Sequence, residues 1–87
     1  MNSDNLPILT EEAIRAIAER LRLATLGPWV SFVEGRDHSS GSSFIRTSAQ
    51  DIELTGATDA DQDFIAHARG DVAMLLAEIA RLRAPRT

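Results

Sequence analysis

The chain lacks several residue types, and each absence excludes a class of protein. Its 87 residues include no cysteine, lysine or tyrosine, and without cysteine there are no disulfides, thiolate metal sites or thiol nucleophiles. The longest apolar run, Val72–Ala77, covers six residues, whereas a membrane-spanning helix needs about 20. The first residues also lack the basic and apolar segments of a secretory signal. We therefore expect a cytoplasmic protein with no membrane partner.

Positive charge is also scarce. Nine arginines stand against 13 acidic residues, which gives a formal net charge of −4. Because nucleic-acid binding requires a cationic surface, this composition argues against a nucleic-acid partner. The apolar content of 44% and the charged content of 25% are typical of a globular chain. A chain of 87 residues allows one domain, for which we expect the span 1–87 with a loose N-terminal tail at 1–8.

The spacing of apolar residues predicts a helix over residues 10–25. Thr10 can cap its N-terminus through the side-chain hydroxyl. Ile14, Ile17 and Leu21 then recur with the period of a helix and form one apolar side. We expect this side to pack against the rest of the protein.

A second helical segment begins at Thr58 or Asp59, either of which can cap it, and ends before Pro85. Gly70 and Asp71 interrupt its apolar series. Glycine inside a helix costs about 1 kcal/mol relative to alanine, and aspartate is a good cap for a new helix. We therefore expect the C-terminal helix to be kinked or broken near Gly70.

Between the helices, three short segments have the composition of β-strands. Residues 29–34 and 43–48 are rich in aromatic and β-branched side chains and bracket a Gly- and Ser-rich loop. Residues 51–55 alternate polar and apolar side chains. These segments predict a three-stranded antiparallel meander. With both helices on one face of that sheet, the predicted fold class is α+β.

Three stretches near the two ends of the chain form a distinctive set of motifs. They are residues 24–29 (ATLGPW), residues 61–69 (DQDFIAHAR) and residues 71–79 (DVAMLLAEI). The set resembles small phage and prophage proteins of the Ead/Ea type, which have an A-T-P-G-P-W core and a D-x-x-F-I-A-x-A ending. Leu26 and Ala73 stand where proline is common in that family. The resemblance implies an accessory protein of a phage or integrated element in the host bacterial cytoplasm, and it carries over no catalytic residues.

The loop residues Arg36, Asp37, His38 and Ser39 include the residue types of a hydrolytic triad. Neighbouring side chains point apart, however, and cannot converge on one reacting group, so we predict no catalytic residue and no enzyme activity. A second interpretation is that the loop binds a small anion through backbone N–H groups, hydroxyls and arginines. The candidate ligand-binding residues are Arg36, His38, Ser39, Ser40 and Arg46.

Five acidic residues and no basic one lie between positions 51 and 63. Asp59, Asp61 and Asp63 resemble the start of a calcium loop, but Phe64 and Gly70 occupy the positions that need glycine and glutamate. We therefore predict no metal site and no cofactor. A partner protein with a basic face could bind this acidic stretch, and the lone tryptophan is a candidate anchor. The candidate partner-binding residues are Asp51, Glu53, Asp59, Asp61, Asp63 and Trp29.

The C-terminal helix carries a strongly apolar stripe at the spacing of core positions. Its members are Val72, Leu75, Leu76, Ile79 and Leu82. Packing within the chain explains the stripe. Because a chain this short buries only a modest core, a homo-oligomer interface explains it equally well.

These observations leave two functional hypotheses of different class. The first is a non-enzymatic accessory protein of phage or prophage type that binds another protein and could block it. The second is a protein that binds or sequesters a small anionic, nucleotide-like ligand on the Gly/Ser loop. The expected partner is accordingly another protein, a second copy of the chain, or a small anion.

Overall fold

A computed structural model of the chain describes residues 9–85, and the tail predicted at residues 1–8 lies outside them. Four elements follow one another in the order helix, strand, strand, helix. They are α1 (Glu11–Leu23), β1 (Val30–Phe32), β2 (Phe44–Arg46) and α2 (Asp59–Arg83). The α+β class predicted from the sequence is confirmed.

Helix α2 is the element to which all the others attach. It contacts both strands of the hairpin and also α1, whereas α1 contacts neither strand within residues 9–85. Arg83 donates to the Glu11 carboxylate at 2.8 Å and Arg69 donates to the Thr25 carbonyl at 3.1 Å, which fixes α1 antiparallel to α2. The expectation that both helices cover the sheet is therefore corrected: α2 covers it, and α1 packs farther along α2.

Both helices begin where their local sequence caps them. The Thr10 hydroxyl accepts a hydrogen bond from the Ala13 amide at 3.0 Å. At α2 the Thr58 hydroxyl accepts from the Asp61 amide at 3.0 Å, and the Asp61 carboxylate accepts from the Thr58 amide at 3.1 Å. Capping of this kind satisfies backbone amides that the first helical turn leaves unpaired. The observed caps at Thr10 and Thr58 confirm the predicted starts of both helices.

Of the kink or break predicted near Gly70, the break is wrong. Helix α2 runs through Gly70 as one element of 25 residues. The helix is anchored on both sides of this glycine, to the hairpin by Gln62 and to α1 by Arg83. These tertiary contacts offset a glycine cost of about 1 kcal/mol.

The predicted three-stranded meander is also wrong, because the sheet has two strands. β1 and β2 pair antiparallel, with Phe32 opposite Phe44. The predicted third strand, 51–55, is reduced to one bridge, in which Ile52 exchanges both backbone hydrogen bonds with Ile45 at 2.8 Å. Ile52 thus bonds to the sheet, but its segment does not add a third strand.

Local structure on each side of Ile52 prevents a longer strand. Before it, the Thr47 hydroxyl bonds to backbone groups two and three residues ahead, at 3.0 and 2.8 Å, and closes a tight turn. After it, Leu54 lines a concavity beside α2, and Gly56, with φ of 83°, occupies a conformation that glycine adopts without strain. The residues after Ile52 therefore leave the sheet and connect it to the start of α2.

The buried core of the described residues is small. Its apolar side chains are Val33, Ile45 and Ala66, accompanied by the polar side chains of Thr47 and Gln62. The radius of gyration is 16.5 Å, whereas a compact domain of this length has about 12 Å. The reason is the length of α2, which spans about 37 Å and extends past the hairpin. Much of the apolar surface of the helices consequently stays uncovered.

Replacing Gly70 with alanine should stabilise the protein. An added Cβ would meet no atom within 4 Å, and alanine is the better helix former. We expect the free energy of unfolding, measured by urea denaturation, to rise by about 0.5–1 kcal/mol. Gly56→Ala is the control, because a φ of 83° strains an alanine and should lower stability. A Gly70→Ala variant less stable than the native chain would contradict the continuous helix.

Candidate functional site

One buried amide joins α2 to both strands of the hairpin. Gln62 is 4% exposed, and the two hydrogens of its Nε2 are shared among three acceptors, the Ser31 hydroxyl at 2.9 Å and the carbonyls of Phe32 and Phe44 at 3.2 Å. Such bonds matter because a buried polar group left unpaired costs about 1–3 kcal/mol. Sequence reasoning missed Gln62. The one usable signal is its i, i+4 spacing from Ala66, which places both on one side of α2.

Arg36 joins the hairpin loop to α2. Its guanidinium donates to both carboxylate oxygens of Asp63, at 2.8 and 3.0 Å, and to one oxygen of Asp37 at 2.9 Å. That oxygen of Asp37 also accepts from the Val33 amide at 2.8 Å. We call Arg36, Asp37 and Asp63 the Arg36 clamp. Its two carboxylates and one guanidinium give it a net negative charge.

The Arg36 clamp holds its carboxylates in the charged form. Hydrogen bonds from Arg36, followed by one from the Ser31 hydroxyl, lower the pKa of Asp63 from 3.8 to about 2. The pKa of Asp37 is also lowered, first by Arg36 and then by the Val33 amide. The carboxylates in turn raise the pKa of Arg36. An incoming anion would have to compete with both carboxylates for this guanidinium.

The other predicted ligand-binding side chains contact the aromatic rings of the hairpin. The Arg46 guanidinium carbon lies 4.6 Å from the centroid of the Phe32 ring. Phe32 stacks on Phe44 at 5.2 Å, and His38 tilts against Phe44 at 5.6 Å. His38 Nδ1 bonds to the Ser40 carbonyl at 2.7 Å, and its buried Nε2 has no hydrogen-bond partner among the described residues.

The structure therefore does not gather the predicted ligand-binding residues around one point. Arg36 binds carboxylates of the clamp, Arg46 stacks on an aromatic ring, and His38 bonds to a carbonyl of its own loop. Ser39 and Ser40 are exposed in the turn. This arrangement gives little support to the hypothesis of an anionic ligand.

Trp29 closes the connection between α1 and β1. Its Nε1 donates to the Thr25 carbonyl at 2.9 Å, the same carbonyl that accepts from Arg69. The indole is half-buried and lines the groove between α1 and α2. Trp29 thus stabilises the end of α1, and only the uncovered part of its ring is available to a partner.

The acidic candidates fall into two groups. Asp61 and Asp63 are hydrogen-bonded within the protein, the former in the cap of α2 and the latter in the Arg36 clamp. Asp51, Glu53 and Asp59 are exposed, and their side chains form no ion pair with any residue in the range 9–85. The uncompensated negative charge therefore lies beside and just before the first turn of α2.

A concavity of about 330 Å³ lies between the segment before α2 and the first turns of α2. We call it the Phe64 concavity, and its lining residues are Leu54, Thr55, Gly56, Ala57, Asp61, Phe64 and Ile65. The Phe64 side chain is 74% exposed. The periodic pattern of the sequence places Phe64 with the core side chains, whereas the folded chain leaves it uncovered. Only the tertiary structure identifies it as a surface residue.

The predicted oligomer stripe divides into two parts. The half-buried part consists of Val72, Leu76 and Ile79. Together with Ile17 of α1, this part lines the seam between the helices. Leu75 and Leu82 are 62% and 67% exposed. A groove of about 360 Å³ continues the seam toward Phe64, so α1 covers only one side of the stripe.

Comparisons of the chain with protein-family models, with curated proteins and with solved structures found no match. Within residues 9–85, no group of histidine, aspartate and glutamate side chains is arranged to hold a metal ion. None of the helices in that range combines the length and the apolar character that crossing a bilayer requires. Functional inference accordingly rests on the exposed surfaces described above.

Truncating Gln62 should destabilise the protein. Gln62→Ala leaves the Phe32 and Phe44 carbonyls and the Ser31 hydroxyl without their shared donor. We expect the free energy of unfolding to fall by about 1–3 kcal/mol in urea denaturation. Gln50→Ala, at an exposed position, is the matched control and should change stability by less than about 0.5 kcal/mol. Equal effects of the two substitutions would show that the amide does not link helix and hairpin.

Acid should release the Arg36 clamp. Because folding lowers the pKa of Asp63 from 3.8 to about 2, its carboxylate stabilises the folded state fully above about pH 4. That contribution is lost as the pH falls through the folded-state pKa of about 2. We expect the urea midpoint of the native chain to drop over this interval more steeply than that of Asp63→Asn. Asp59→Asn controls for the removal of one negative charge, and parallel curves for all three proteins would refute the role of the clamp.

Proposed function

We propose that this chain is a non-enzymatic protein-interaction module of the phage- or prophage-accessory type, which binds its partner at the Phe64 concavity. The observation that carries the proposal is a large aromatic side chain, exposed beside an apolar concavity and close to uncompensated acidic residues. Exposed aromatic residues at such positions are typical anchors of protein interfaces.

Phe64 has the properties of an interface anchor. Covering its exposed ring would gain roughly 25 cal/mol per Å² of apolar surface removed from water. Leu54 and Ile65 supply apolar walls beside it. Phe64 also lies on a helix that Gln62 holds to the hairpin, so little ordering is needed when a partner binds.

The charges around the concavity favour a basic partner. Asp51, Glu53 and Asp59 are exposed, and their negative charge attracts arginine or lysine side chains. We therefore expect the partner to present an apolar group flanked by basic residues. Because the module would occupy that basic surface, it would block any other acidic ligand of the same surface. This is the sense in which the module is inhibitory.

The structural partners of the loop side chains support the non-enzymatic part of the proposal. Arg36 and Asp37 bind each other in the clamp, and His38 bonds through Nδ1 to the Ser40 carbonyl. A triad needs a base held against its nucleophile by a third group. The contacts of this loop do not include a bond between His38 and Ser39.

Binding should depend on Phe64. We expect the immobilised native chain to retain a stoichiometric protein from a bacterial lysate. The dissociation constant, measured with the purified captured protein, should rise at least about tenfold in Phe64→Ala. Because the ring is 74% exposed, the substitution should leave the free energy of unfolding nearly unchanged. Raising the salt concentration should also weaken capture, since charge attraction is screened.

Met74→Ala is the matched control for this experiment. Met74 is an exposed apolar residue of the same helix, 67% exposed, but it does not line the Phe64 concavity. The Met74→Ala variant should bind the captured protein as tightly as the native chain does. Retention of no stoichiometric protein, or equal retention by Phe64→Ala and the native chain, would overturn the proposed function.

A further inference from the structure

We propose that a second copy of this chain covers the open side of α1 and α2, forming a homodimer in which α2 of each copy packs beside α1 of the other. This inference goes beyond the proposed function, because it concerns a different surface. We call that surface the open helical face. It consists of Ala16, Arg20 and Leu23 on α1 and Asp71, Leu75, Glu78 and Leu82 on α2.

Each helix contributes one stripe to the open helical face. The α1 residues recur at i, i+4 and i+7, and the α2 residues at i, i+4, i+7 and i+11, so each set shares one side of its helix. Arg20 lines the groove between the helices, and Leu75 lines the adjoining part of the seam. The two stripes therefore border one continuous surface.

The exposed leucines of the open helical face are the apolar surface that a second copy would cover. Leu23, Leu75 and Leu82 are 69%, 62% and 67% exposed. A chain of this length buries only a modest core by itself, and within residues 9–85 the buried apolar side chains are Val33, Ile45 and Ala66. Burying the three leucines against a second copy would therefore enlarge a small core.

The packing of α1 on α2 determines which residues of the two stripes lie at the same height along the helix axes. Two contacts mark the ends of the helix pair, Arg83 with Glu11 and Arg69 with Thr25. Because each residue adds about 1.5 Å along both helices, Arg20 lies at a level between Asp71 and Glu78. Within residues 9–85 the Arg20 side chain forms no ion pair, so its charge is available to a second copy.

Charge selects between the two symmetric ways of joining two copies. A two-fold axis parallel to the helices keeps the levels unchanged and sets α1 of one copy against α2 of the other. Arg20 then lies beside Asp71 of the second copy, whose side chain forms no ion pair within residues 9–85, whereas Glu78 is already paired with Arg81 of its own helix. An axis perpendicular to the helices would instead place α1 against α1 and α2 against α2, so that Arg20 would face a stripe of the other copy that carries no carboxylate.

The dimer and partner binding are measured by different experiments, although their surfaces adjoin. Phe64 borders the groove that Arg20 also lines, whereas Leu54 and Thr55 of the Phe64 concavity belong to the segment before α2. Failure of the dimer and failure of partner binding are separate outcomes.

The mass in solution tests the dimer directly. Light scattering on the native chain, between about 1 and 100 μM, should give twice the chain mass of 9.5 kDa, and the melting temperature should rise with concentration. A single-chain mass throughout this range would overturn the proposal without affecting partner binding through Phe64.

Two exposed positions of α2 test where the copies meet. Leu75→Glu puts a charge in the proposed interface and should raise the dimer dissociation constant at least about 100-fold. Ala77→Glu adds the same charge at an exposed position outside the open helical face and should leave the dimer intact. Circular dichroism checks that both variants remain helical. A native-like dimer in Leu75→Glu would overturn the proposed interface.

A charge exchange tests the arrangement of the helices. Arg20→Glu should raise the dissociation constant about fivefold, because it sets a carboxylate beside that of Asp71 of the other copy. Adding Asp71→Arg should restore the native value if α1 of one copy lies beside α2 of the other. A double variant that dimerises no better than Arg20→Glu would overturn this arrangement, even if the native chain is dimeric.

Discussion

The side-chain amide of Gln62 connects the two layers of this protein, and the rest of the structure depends on that connection. It is buried in α2 and donates to both strands of the hairpin, while Arg69 and Arg83 of the same helix hold α1. Since α1 touches neither strand within the described residues, the hairpin and α1 are positioned mainly through α2, with the Trp29 connection as the second link between them. The helix must therefore stay continuous, even across Gly70.

This architecture makes the protein extended and leaves apolar surface open. Only Val33, Ile45 and Ala66 form a buried apolar core within residues 9–85, because hairpin and α1 cover different lengths of α2. A domain with so little burial is marginally stable by itself. Covering the remaining apolar side chains would add stability as well as affinity. Burial of the same exposed residues by a partner would therefore both stabilise the fold and strengthen binding.

Charge divides the surface into regions with different roles. Asp63 and Asp61 serve the fold, in the Arg36 clamp and the α2 cap, and are not open to a partner without loss of those bonds. Glu53 and Asp59 remain exposed, next in sequence to residues that line the Phe64 concavity or close to them. Farther along α2, Asp71 and Glu78 flank exposed leucines at the level of Arg20. The partner-binding surface lies nearer the start of α2 and the proposed dimer surface nearer its end, and the groove lined by Arg20 and Phe64 joins them.

The sequence by itself determined the class of fold and the starts of both helices, because the caps at Thr10 and Thr58 act within a single turn. Helical periodicity likewise identified the stripe of Leu75 and Leu82, although not which side α1 would cover. The tertiary structure alone decided the number of strands, the continuity of α2 and the use of Arg36. Arg36 meets a carboxylate 27 residues away, and Gln62 meets a carbonyl 18 residues away. Local pattern carries no information about such pairs, since they form only when separate elements pack together.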